Sequence, residues 1–92
     1  MILNQANQLL KEGKLEEASK IYSELFNDEK LQAKALGLAG LVRCALVAKD
    51  FETAKEFLDK IKKDYLEDIH HPEVKKAFAA YEVFFFYFLF LN

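Results

Sequence analysis

Apolar residues recur at three- and four-residue spacing through almost the whole chain, which therefore reads as a succession of helices divided by short polar breaks. Leu3, Ala6, Leu9 and Leu10 mark one side of a first helix, from about Ile2 to Glu12. Gly13 breaks it, since a glycine beside Lys14 is a natural left-handed turn position. Leu15, Ala18, Ile21, Tyr22, Leu25 and Phe26 form the apolar face of a second helix, which ends at Asn27-Asp28, and Asp28 can cap the next segment. The third helix, about Lys30 to Ala48, is apolar nearly all round, so it is expected at the centre, covered on more than one side. Asp50 reads as the N-cap of a fourth helix carrying Phe51, Ala54, Phe57, Leu58, Ile61 and Tyr65. A loop around Glu67 to His71 comes next, and Pro72 sits in the first turn of a last helix, where its missing N–H costs nothing.

Composition narrows the class. A chain of 92 residues supports one core. With 52% hydrophobic and 30% charged residues it is far from disordered. Three Gly and one Pro are too few for the turns of an all-β domain. The net charge is −2, and the 13 Lys and Arg are interspersed with 15 Asp and Glu. No broad basic face exists to neutralise phosphates, so nucleic acid is not an expected partner; the pairs Lys62-Lys63 and Lys75-Lys76 have acidic neighbours. A lone Cys44 cannot form an internal disulfide and is compatible with a reducing cytoplasm. Ile2-Leu3 runs directly into Asn4-Gln5, so no secretory signal is expected.

Internal repetition organises the helices. Leu15 pairs with Phe51, Glu16 with Glu52, Ala18 with Ala54, Ile21 with Phe57, Tyr22 with Leu58 and Leu25 with Ile61, all at one offset of 36 residues. A large residue after the turn fills the gap between paired helices, and the Ala one turn later lets their backbones approach. These residues resemble the tetratricopeptide repeat, with its period of about 34, its turn glycine, its large residue two positions on and its Ala three further. Gly13, Leu15, Ala18 and Tyr22 match in the first repeat. In the second, Phe51, Ala54 and Leu58 match, with Lys49 where Gly is usual. Two extra residues are expected to lengthen the connection near Asn27 to Lys30, and the usual Pro at the repeat end is absent.

The fold class the resemblance implies is all-α. Two tetratricopeptide-like helix-turn-helix repeats (about 2–28 and 30–65) and a C-terminal capping helix (about 72–90) make five helices in a right-handed array, one domain over 1–92. In that family the first helix of each repeat lines a concave groove. The resemblance thus points to Leu3, Asn7, Leu10 and Lys11, and to Leu36, Ala39, Arg43 and Val47, as groove residues meeting a protein or peptide partner by shape and apolar contact. Arg43 stands out, because a charge in an otherwise apolar helix must reach solvent, a carboxylate across the groove, or the partner. The carboxylate-clamping groups of some chaperone-binding repeats are not reproduced, since the corresponding early position is Leu3.

A narrower likeness runs through Ala35-Leu36-Gly37-Leu38-Ala39-Gly40-Leu41-Val42-Arg43-Cys44, Asp50-Phe51-Glu52-Thr53-Ala54 and His71-Pro72-Glu73-Val74. It resembles the C-terminal repeat region of bacterial thioredoxin-like proteins of the co-chaperedoxin family. That likeness implies a chaperone- or thioredoxin-associated role in a bacterial cytoplasm. No redox activity carries over, because the chain has no Trp, one Cys and no C-x-x-C motif.

Residues with chemistry fit structural roles better than catalysis. His70 and His71 are adjacent on a loop, so they point apart, with no second ligand pair at helical spacing. Cys44 on an apolar helix behaves as a small hydrophobe. Glu16-Glu17 and Asp28-Glu29 lie at helix starts, opposite the positive end of the dipole. No enzyme, metal or cofactor is expected.

The tail, Val83-Phe-Phe-Phe-Tyr-Phe-Leu-Phe-Leu91, has no polar break. It is too short to span a membrane, which takes about 20 apolar residues. Three outcomes are open: packing into the groove, pairing with another copy, or a weak membrane anchor. Phe84, Phe85, Phe86, Tyr87, Phe88 and Phe90 cannot all reach the core of so small a domain. A homo-oligomer through this helix is therefore expected, with a purely structural oligomerisation domain as the alternative to a partner-binding module.

Overall fold

A computed structural model describes residues 2–91, with residue 91 described by its backbone alone. Among these residues the chain is all-helical: α1 (Ile2–Lys11), α2 (Leu15–Phe26), α3 (Leu31–Val47), α4 (Phe51–Asp64) and α5 (Pro72–Leu91). The segment expected as a plain loop before α5 contains a 3₁₀ turn at Leu66–Asp68.

The turns after α1 and after α3 have the same geometry at an offset of 36 residues. Gly13 has φ +82° and Lys49 has φ +63°. The amide of Gly13 donates to the Leu10 carbonyl and that of Lys14 to the Leu9 carbonyl. At the second turn Lys49 donates to Leu46 and Asp50 to Ala45. Both are Schellman ends, which satisfy the last carbonyls of a helix and reverse the chain. Gly13 takes the left-handed conformation freely. Lys49 takes it at a cost of about 1–2 kcal/mol, because its Cβ crowds the following carbonyl.

The helices that begin after these two turns start differently. The Asp50 carboxylate accepts from the Thr53 amide at 3.2 Å and from the Thr53 hydroxyl at 2.6 Å, capping α4. Those bonds hold the Asp50 carboxyl below its usual range. Lys14, at the start of α2, makes no such bond. Asp28 accepts from the Lys30 amide at 2.9 Å, bending the chain ahead of α3 rather than capping its first turn.

α3 is central, as its nearly uniform apolarity requires. It packs on α2, α4 and α5 and more lightly on α1. Its approach to α2 depends on two missing side chains. A Cβ on Gly37 would stand 2.5 Å from the Phe26 amide nitrogen and the Tyr22 carbonyl oxygen, and one on Gly40 would fall on the Tyr22 ring. Tyr22 is wholly buried there, in a cluster with Ala6, Leu10, Ala18 and Cys44. A larger cluster joins α3 to α4 and α5 through Leu38, Val42, Leu46, Leu58, Ile61 and Val74.

α4 and α5 meet differently. They run antiparallel, with Phe51 at the start of α4 against Phe84 and Phe88 at 6.4 and 5.7 Å between ring centroids. The Lys62 ammonium lies over the Phe78 ring at 5.5 Å. Rings hold these two helices apart, and the closer backbone contact of α5 is with α3.

Candidate partner-binding groove

Five side chains from four helices converge at the mouth between α1, α3 and α5. Glu73 is the hub. It sits in the first turn of α5, where a carboxylate opposes the positive end of the helix dipole. His71 Nδ1 accepts the Glu73 backbone N–H at 3.1 Å, so this histidine caps the helix. His71 thus has a structural part at the start of α5.

From α1, Asn7 Nδ2 donates to Glu73 Oε1 at 3.2 Å, while Asn7 Oδ1 accepts from the Tyr22 hydroxyl at 2.5 Å. From α3, Arg43 NH1 lies 3.5 Å from Glu73 Oε2, and Lys76 Nζ, one turn along α5, lies 3.5 Å from Oε1. The Glu73 side chain is 15% exposed and that of Arg43 26%. The pair is thus shielded enough to be stronger than a surface contact, yet the guanidinium still reaches solvent. Of the destinations open to Arg43, the carboxylate across the groove is occupied.

Burial pushes the Tyr22 hydroxyl up to about 12, with Cys44 and Glu73 adding to the rise and the Arg43 charge opposing it. The phenol is therefore a fixed donor to Asn7 at neutral pH. With its oxygen engaged, Asn7 has to aim its amide nitrogen outward at Glu73.

Beside this chain of bonds lies a pocket of about 320 Å³ lined by Asn4, Asn7, Gln8, Leu10, Lys11, Arg43 and Lys76. Three amides and three cations dominate it, offset by the carboxylates of Glu73, held by Asn7, Arg43 and Lys76, and of Glu12, which accepts from Gln8 at 3.0 Å. Of the residues the repeat pattern directs to the groove, Asn7, Leu10, Lys11 and Arg43 come together here. The other four do not. Leu3 packs against the Tyr22 cluster. Leu36 packs against the larger cluster, and Ala39 is buried within it. Val47 is exposed at the far end of α3. Asn4, Gln8 and Lys76 also line the pocket, although the repeat pattern does not direct them there. Asn4 and Gln8 flank Asn7 at three residues before and one after, and a 36-residue step from Gly40 leads to Lys76.

A second depression of about 460 Å³ lies among α2, α3 and α4, with Leu15, Ser19, Leu41, Cys44, Ala48 and Phe57 in its wall. Glu16, Asp50 and Thr53 also line it, Asp50 and Thr53 being engaged in the α4 cap, and its one sulfur is the Cys44 thiol. Burial pushes this thiol up, although the neighbouring Ser19 and the Arg43 charge pull the other way. A thiol held protonated is a poor nucleophile, in keeping with a packing role. Among the described residues, no group of three or more His, Cys, Asp or Glu is placed to hold a metal ion.

The aromatic end of α5 divides in two. Phe84 packs against the core and against Phe51, so it is not part of a free face. Phe85, Phe86, Tyr87, Phe88 and Phe90 are exposed, Phe88 while resting on Phe51. Among the described residues no helix is long and apolar enough to cross a membrane. No protein-family model, no characterised protein and no solved structure matches this chain.

Proposed function

We propose that this chain is a non-catalytic, tetratricopeptide-like interaction module that takes a segment of a partner protein into the groove between α1 and α3. The observation that carries the reading is the pocket where Asn4, Asn7, Gln8, Lys11, Arg43 and Lys76 converge. Amides at the mouth are suited to the peptide carbonyls and N–H groups of an extended chain. The three cations outnumber the neighbouring carboxylates of Glu73 and Glu12, which favours a segment bearing acidic side chains. This is a more polar partner than the apolar one expected from sequence. The matching turns at Gly13 and Lys49 support the two-repeat reading, since one backbone device recurs at the offset seen in the side chains.

The narrower association, with chaperone or thioredoxin-linked proteins of a bacterial cytoplasm, rests on the run Ala35 to Cys44 and on His71-Pro72. In such a role the chain contributes binding alone. A peptide array probed with the wild-type chain, and then with Arg43→Ala and Lys11→Ala, tests the groove. Acidic peptides are expected to be enriched among the binders, and each variant to weaken them about tenfold. Binding that is indifferent to both substitutions sinks the groove as the site.

A further inference from the structure

Between Val83 and Phe90 every residue except the inward Phe84 is exposed, and none is charged. Five rings are 47–77% exposed here. With roughly 150–250 Å² per aromatic side chain, and Val83 and Leu89 added, these residues expose on the order of 800 Å² around the whole helix, of which Val83, Phe86, Tyr87 and Phe90 supply roughly 500 Å² on one side. That face is at the upper end of the apolar patches found on monomers, about 300–600 Å², and two copies of it together bury about 1,000 Å², the lower bound for a specific interface.

The patch is also ordered. Phe84 and Phe88 hold one side of α5 to Phe51. On the far side Val83, Phe86, Tyr87 and Phe90 succeed one another at the i, i+3, i+4, i+7 spacing of a row that interlocks with another helix. Within that row the Phe86 and Phe90 rings are stacked, 6.0 Å apart and 3° from parallel. Rings already in place lose little rotamer freedom on association.

We infer that this row pairs with the same row of a second copy, making a two-fold homodimer through the C-terminal half of α5. A two-fold pairing needs a surface that complements itself, and a row of rings without charge does so at no cost in buried ions. A different protein would need polar addresses to be recognised, and the Tyr87 hydroxyl is the one polar side-chain group between Val83 and Phe90. A helix lying on a lipid surface carries a cationic face beside its apolar one. The lysines of α5 are Lys75 and Lys76, two turns before the row begins.

Sedimentation velocity on the full chain, from about 1 to about 100 µM, tests the pairing in the range expected for an interface of this size. The wild type is expected to sediment at twice its 10.7 kDa mass. Phe86→Glu combined with Phe90→Glu should keep the helical circular-dichroism spectrum. It should also raise the dimer dissociation constant at least about a hundredfold. Tyr87→Lys provides a second disruption of the same row should the double variant lose helicity. Arg43→Ala should leave the dimer intact, which separates this inference from the groove reading. A wild type that stays at monomer mass over the whole range overturns the pairing, as does a dimer indifferent to the folded row variants. Monomers that float with phosphatidylcholine–phosphatidylglycerol vesicles assign the row to lipid and overturn it too.

Discussion

The junction of α2 with α3 and that of α4 with α5 lie 36 residues apart along the chain and are closed by opposite means. At the first, Gly37 and Gly40 withdraw their side chains, and Tyr22 and the α2 backbone move into the space. A 36-residue step from those glycines leads to Glu73 and Lys76. The second junction therefore has no small residues at the matching places. Rings from Phe51, Phe78 and Phe84 fill it instead, and Glu73 turns toward α1 and α3. Close packing at the first junction makes a core, while bulk at the second leaves a charged hub in the groove and surplus rings outside.

The largest expected effect breaks the first junction. Gly37→Ala brings a methyl against two backbone atoms that cannot yield singly. Overpacking costs roughly 1–3 kcal/mol, and more where backbone has to move; the gain of about 1 kcal/mol in helix propensity offsets only part of it. With backbone on both sides the cost lies at or above the top of that range, and a net loss of at least about 2 kcal/mol by urea denaturation is expected. An unchanged midpoint would mean that α2 and α3 do not approach as described.

Alkaline pH probes the same place through Tyr22, whose hydroxyl is raised from 10.0 to about 12. The folded state holds this proton more tightly than the unfolded state does. Its contribution is thus complete below pH 10 and is lost as pH rises from 10 through 12, at most about 2–3 kcal/mol. Tyr22→Phe should remove that slope from a stability–pH series, whatever it does to stability at neutral pH.

At the second junction Glu73→Ala leaves Asn7 and Arg43 without their shared acceptor. The partial exposure of the site limits the loss to about 1–2 kcal/mol. This is smaller than the effect of adding one methyl at Gly37, and the reverse order would reject the contrast between the junctions. The smallest effect tests what the turns at Gly13 and Lys49 share. Lys49→Gly relieves the left-handed strain and should raise stability by about 0.5–1 kcal/mol, read as a higher melting temperature.

The helices, the Asp50 cap and the Gly13 turn were legible in the sequence because their causes are local: a period, a side-chain acceptor, a missing Cβ. The left-handed Lys49 was not, since lysine has no preference for that conformation and the bonds that close the end of α3 on Leu46 and Ala45 impose it. The Glu73 hub was half legible. Arg43 announced a charge that had to reach solvent, a carboxylate or a partner, but Asn7 and Glu73 are 66 residues apart, and no periodicity reports such a pairing. Leu36 and Ala39 show the limit of face assignment. On a helix with neighbours on several sides, an apolar residue directed to the groove is indistinguishable from one directed to the core.

The bonds running from Tyr22 through Asn7 to Glu73 and Arg43 also bear on how the molecule comes apart. A linear stack of helices frays from its ends, each terminal unit detaching at the expense of one neighbour. Here the first hairpin is tied to the start of the last helix, so neither end can leave without stranding polar groups of the other. The array behaves as a loop rather than a line, and amide exchange in α1 and in the first turns of α5 should report a single opening event.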